Sequence, residues 1–105
     1  MRIVLLIVLC STLHIHAQTR YESNLFAESI VTNYKYGQNT RYNGIVQDLT
    51  LDLYTGTGDI AKNRVCVVFC FGGSFVSGSR TSTELVSLAN TLSRLGYVCA
   101  SIDYR

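Results

Sequence analysis

The chain has 105 residues and a formal net charge of +2, which leaves room for one small domain. Nine basic residues against seven acidic ones, with no run of like charge, exclude the electrostatic footprint of a nucleic-acid or anionic-membrane binder. Proline is absent, so no proline-marked linker divides the chain, and no repeat or low-complexity segment occurs.

Met1-Arg2 is a short basic start, and Ile3 to Cys10 is an unbroken apolar run. Ser11 to Ala17 then leads to a small residue suited to cleavage. This is the pattern of a secretory signal peptide over residues 1–17, cut after Ala17, although Ile15 at the −3 position is larger than the preferred residue. The run is too short for a membrane anchor, which takes about 20 apolar residues. The expectation is a secreted protein with no membrane span after cleavage. Loss of Cys10 would leave Cys66, Cys70 and Cys99, an odd set. Cys66 and Cys70 lie four apart in a strand pattern, roughly 13 Å between Cα atoms, too far for a disulfide. No histidine accompanies them, so no metal site is expected. Small buried hydrophobes in a sheet are the expected role of these cysteines.

Residues 18–45 form a polar lead-in with scattered aromatics: Tyr21, Phe26, Tyr34, Tyr36 and Tyr42. Their spacing is too irregular for a stacking platform, which leaves packing and surface roles. A short strand is expected over Glu28 to Tyr34, and a turn over Gly37-Gln38-Asn39-Thr40. Residues 46–105 carry the domain proper. Val46 to Tyr54 alternates with period two: Leu49, Leu51 and Leu53 on one side, Asp48, Thr50, Asp52 and Tyr54 on the other. That predicts a half-buried strand at the antiparallel edge of a mixed sheet. Thr55 to Asp59 is a turn.

Val65 to Phe71 is continuously apolar, as in a parallel strand covered on both faces. Thr81 to Leu95 predicts a helix, with Leu85, Leu88, Ala89, Leu92 and Leu95 on one face. Thr81 and Glu84 have capping-box spacing, and Gly96 supplies the stop. Tyr97 to Ile102 is a further strand, ending in Asp103-Tyr104-Arg105. The order strand, strand, helix, strand predicts an α/β fold closed by one βαβ unit. Ligands in such sheets bind beyond the carboxyl ends of the strands. Gly72-Gly73-Ser74 sits at that end.

Three readings of this glycine loop stand side by side. It can present backbone N–H groups to an oxyanion. Gly73 and Gly78 with Ser79 and Arg80 also come near a phosphate-binding loop, but the lysine is missing and the helix starts after the motif. The glycines can also simply turn a strand into a helix. Ser74, Ser77 and Ser79 are not nucleophile candidates, because none sits in a Gly-x-Ser-x-Gly elbow. The only histidines, His14 and His16, lie in the leader, so no base remains after cleavage.

Phe71-Gly72-Gly73-Ser74-Phe75 resembles the His-Gly-Gly-Gly/Ser-Phe loop of carboxylesterases and hormone-sensitive-lipase-like esterases of the α/β-hydrolase fold. Leu49 to Tyr54, Val76 to Ser79, Leu95 to Val98 and Asp103 to Arg105 resemble the flanking segments, in the same order. The resemblance implies that Gly73 and Ser74 donate backbone N–H groups to a tetrahedral oxyanion, with Phe71 where the family usually has histidine. It implies small acyl or aryl ester substrates, sugar-linked acetyl or feruloyl groups included, no cofactor and no metal. It also implies that Asp103, which precedes the nucleophile position, is structural, and that Arg105 pairs within the fold. The triad itself is missing. The chain therefore reads as an N-terminal fragment of a secreted ester hydrolase. The alternative is a secreted non-catalytic interaction module.

Overall fold

The computed structural model describes residues 19–73 and 77–104. The expected leader, together with Ser74, Phe75, Val76 and Arg105, lies outside them. The chain is a small α/β protein: among the described residues, a four-stranded mixed sheet with one helix packed on it. In chain order the elements are β1 (Ser29–Thr40), β2 (Val46–Gly56), β3 (Cys66–Cys70), α1 (Thr83–Arg94) and β4 (Val98–Ile102). The sheet order is β1-β2-β4-β3. β1–β2 and β2–β4 are antiparallel, and β3–β4 is parallel. The parallel pair joined by α1 is the predicted βαβ unit.

β1 is longer than the sequence pattern suggests. Gly37 to Thr40 does not turn; it continues the ladder, with an irregularity between Lys35 and Gly37 that absorbs one residue. The reversal falls later, where Arg41 N–H donates to Ile45 O at 2.8 Å and Gly44 takes φ +81°.

The period-two reading of β2 holds, but α1 covers its Asp52/Tyr54 side. Tyr54, Ala89 and Cys99 form the buried centre, with Val67, Phe69, Leu92 and Tyr97 packed around it. The reason is close approach. Ala89, Ser93, Cys99 and Ser101 are all fully buried, and their small side chains let the helix sit directly on the sheet. The buried Ser93 hydroxyl is satisfied by Ser29 Oγ at 2.8 Å and Asn90 O at 3.1 Å. Leu88, expected on the packed face, is instead 47% exposed.

β3 was expected to be buried on both faces. Val67 and Phe69 pack under α1, but Cys66 and Cys70 are exposed on the other face, as is Val68. Among the described residues no element covers that face. Cys66 and Cys70 are therefore not buried hydrophobes, and all three cysteines in the described residues are free. Burial pushes the Cys99 thiol up to about 11, with the nearby Cys66 adding to the shift. A thiol reagent should label Cys66 and Cys70 at once in the folded chain. Cys99 should react only with added denaturant. Equal labelling of all three in native buffer would contradict this packing.

The helix starts two residues later than expected. Ser82 is the N-cap, with no side-chain cap hydrogen bond, so the predicted capping box does not form. Thr81 is instead held by Ser79, whose hydroxyl accepts the Thr81 N–H at 3.1 Å. The stop is as predicted. Gly96 N–H donates to Ser93 O, Tyr97 N–H donates to Leu92 O, and Gly96 takes φ +102°, which is a Schellman end. A Cβ on Gly96 would also press on Arg20 at 3.0 Å. Gly96→Ala should cost about 1–2 kcal/mol in urea unfolding.

Residues 19–28 strap the amino end of the parallel pair. Tyr21 N–H donates to Leu95 O at 2.8 Å, and Leu25 N–H to Arg94 O at 2.9 Å. The Tyr21 ring lies 4.5 Å from that of Tyr97, and its hydroxyl accepts the Val65 N–H. Arg20 reaches Asp59 at 2.6 Å and Gly96 O at 2.9 Å. Arg64 approaches the same carboxylate at 3.4 Å.

Candidate functional site

The carboxyl ends of β3 and β4 point the same way, and β2 starts its return from that end. Phe71-Gly72-Gly73 leaves β3 there, Asp103-Tyr104 leaves β4, and Ser77 to Ser82 returns the chain to α1. The Phe71 and Tyr104 rings stack with centroids 4.7 Å apart, and the Tyr104 hydroxyl donates to Phe71 O. Phe71 is thus an aromatic anchor for the loop.

Two positions need glycine. Gly73 has φ +150°, and a Cβ there would fall 1.2 Å from Ser77 O. Gly78 has φ +141°, and a Cβ there would meet Gly72 O at 2.3 Å and the Phe71 ring at 2.4 Å. The chain folds tightly on itself here, and Ser77 N–H donates to Gly73 O at 3.2 Å. Among the described residues no acceptor takes the Gly73 N–H. Of the two expected oxyanion donors, Gly73 is placed in the turn, and Ser74 lies outside the described residues.

Behind the loop sits an ion cluster. Arg80 Nη1 donates to Asp103 Oδ2 at 2.8 Å, and Thr50 Oγ1 donates to the same oxygen at 2.8 Å. Arg80 Nε lies 3.2 Å from Asp52 Oδ2, an ionic contact without hydrogen-bond alignment. Asp52 is buried and accepts from Asn33 Nδ2 at 2.8 Å. Ser101 Oγ donates to Arg80 O at 2.7 Å, and Tyr36 reaches Asp103 O with its hydroxyl. Burial works against the Arg80 charge. The hydrogen bond it donates to Asp103 and the fields of both carboxylates outweigh it, and its pKa is raised.

This cluster bears on two sequence readings. Asp103 is held by Arg80 and Thr50, and Arg105, expected to pair within the fold, lies outside the described residues. Arg80 is the one basic group of the phosphate-loop reading, and two carboxylates hold it. It has no charge free for a phosphate, and that reading fails. Ser79 is also engaged, its hydroxyl 2.7 Å from Thr81 Oγ1.

Sequence reasoning missed the pairing of Arg80 with Asp52 and Asp103, and that of Arg20 with Asp59. Alternation in β2 marked Asp52 as outward, and only the small residues of β4 hinted that α1 would choose that side. Asp59 looked like an ordinary turn residue.

Among the described residues no group of three or more histidine, cysteine or acidic side chains could hold a metal ion. No helix among them is long and apolar enough to cross a membrane. No family model, no curated protein and no solved structure matches the chain.

Proposed function

We propose that this chain is the N-terminal part of a secreted carboxylic-ester hydrolase of the serine-esterase type. It supplies the oxyanion loop, with Gly73 and Ser74 as backbone donors. The nucleophile, acid and base come from outside these 105 residues. In the complete enzyme an ester carbonyl is attacked by a serine, and the developing oxyanion is held by N–H groups at the end of β3. No metal or cofactor enters this scheme.

One observation carries the reading: the glycine turn leaves the carboxyl end of a parallel edge strand. The strand order supports it, because among the described residues β3 has a single neighbour, β4, and its other side is where a nucleophile-bearing strand would pair. Gly73 and Gly78 support it further, since close backbone approach is what an oxyanion turn requires. The stacking of Phe71 on Tyr104 favours a second reading, a non-catalytic interaction module, because an apolar anchor has replaced the family's polar one.

The test is the transcript and genomic sequence downstream of Arg105. The expected result is an open frame that reaches Gly-x-Ser-x-Gly and later supplies an acid and a histidine. A stop codon directly after Arg105 removes the enzyme reading for this protein and leaves the interaction module.

A further inference from the structure

We propose that in the 105-residue chain the open edge of β3 is filled by β3 of a second copy, in an antiparallel pair centred on Val68. The hydrolase reading gives this edge to a strand outside the 105 residues; the present inference concerns the chain without that strand.

The backbone fixes which groups are on offer. Val98 N–H donates to Val65 O at 3.0 Å, so the odd-numbered residues of β3 turn their backbone groups to β4. Cys66, Val68 and Cys70 turn theirs to the open edge. Among the described residues nothing pairs with them there. The edge also lacks the usual protection. Cys66-Val67-Val68-Phe69-Cys70 holds no charge, proline or bulge.

The opposite edge of the sheet is different. β1 carries the irregularity at Lys35/Gly37 and the exposed Lys35–Asp48 ion pair at 2.9 Å. Those features oppose strand addition at β1. Pairing through β3 alone uses one edge per copy, so it closes as a two-fold dimer and does not grow into a filament.

The strand is self-complementary in this register. Val68 faces the second copy's Val68, and Cys66 faces its Cys70, twice by symmetry. Directly opposed residues in such a pair have Cα atoms about 5.5 Å apart, inside the disulfide window of about 4.4–6.8 Å. Both thiols lie on the uncovered face, which stays continuous across the two sheets. Within one copy the two thiols cannot meet, and Cys99 is buried under α1. With Cys10 replaced, a disulfide formed by Cys66 is therefore intermolecular.

Oxidised glutathione is a sufficient oxidant. The Cys66 thiolate attacks it, forming a mixed disulfide and releasing one glutathione thiolate. The second copy's Cys70 thiolate then attacks the Cys66 sulfur and releases the other. Two protein thiols are oxidised, one glutathione disulfide is reduced to two thiols, and the protein's two protons pass to the released thiolates.

The experiment expresses the full chain with Cys10 replaced by serine throughout, which leaves Cys66, Cys70 and the buried Cys99 as the thiols. C66S and C70S are oxidised with glutathione disulfide, separately and mixed, and read on non-reducing gels. In C66S alone, Cys70 faces serine, and in C70S alone Cys66 does. Only the mixture opposes Cys66 to Cys70. The mixture should cross-link about tenfold more than either variant alone, because pairing raises the local thiol concentration. V68K, at a position 57% exposed in the single copy, sets two lysines against each other and should sediment as a monomer with unchanged circular dichroism. Equal cross-linking of C66S alone and the mixture, or a dimeric V68K, overturns the proposal. Neither outcome depends on the reading frame beyond Arg105.

Discussion

Asp59→Asn is expected to destabilise the chain by about 2–3 kcal/mol at neutral pH. The Asp59 side chain is only 2% exposed and answers two guanidiniums, Arg20 and Arg64. Its other oxygen accepts the Ala61 N–H at 3.1 Å. Asparagine keeps that last bond, but its amide N–H groups would face two cations without cancelling them. Burial alone would raise the Asp59 pKa. The Arg20 hydrogen bond, the Ala61 N–H and the fields of both arginines outweigh it, so the folded pKa is lowered. A lowered folded pKa stabilises fully above the unfolded value and is lost as pH falls through the folded one. The gap between wild type and Asp59→Asn should therefore be widest at neutral pH and close in acid, below the ordinary aspartate range. Urea unfolding followed by tyrosine fluorescence across pH will show it, since the chain has seven tyrosines and no tryptophan. A gap that does not change with pH would remove Asp59 from this role.

Arg80→Met is the second large effect, a loss of about 2–4 kcal/mol. The substitution keeps the stem and removes the charge. Asp52, 7% exposed, is left with Asn33 alone, and Asp103 keeps its Thr50 and backbone contacts. A double-mutant cycle with Asp103→Asn should give a coupling of about 1–3 kcal/mol, as for groups in direct contact. Amide exchange should also quicken in the glycine loop, because Arg80 ties its return limb to the ends of β2 and β4. A coupling near zero would mean that the ion cluster does not hold the loop.

The elements and their order were legible because they rest on local signals. Period two marks β2, the apolar run marks β3, and Leu85, Ala89 and Leu92 with Gly96 mark α1. The covering of faces was not legible. Leu49, Leu51 and Leu53 look like the core side of β2, yet α1 packs against Asp52 and Tyr54. That choice is made across the sheet, by Cys99 and Ser101 in β4 and by Ala89 and Ser93 in α1, whose small volumes admit a close helix. The turn at Gly37 was misplaced for a related reason. A glycine in a long strand can be an irregularity in the ladder, and only the partner's register decides. At the candidate site the glycine loop was visible in sequence. The ion cluster behind it was not, since Arg80, Asp52 and Asp103 are brought together only by the antiparallel return of β2.

The strap has a consequence for how the chain folds as it is made. Arg20 bonds Gly96, a separation of 76 residues, and Arg94 donates to Phe26 across 68. Thr50 meets Asp103 across 53. These closures dominate the fold, so the loop entropy must be met before most of the packing is gained. During synthesis Arg20 can meet Asp59 early, but the strap's bonds to Arg94, Leu95 and Gly96 must wait until the end of α1 leaves the ribosome. Folding is then expected in milliseconds to seconds, set by topology and slower than a helical chain of this size. A segment made before any strand of the sheet is the one that locks last.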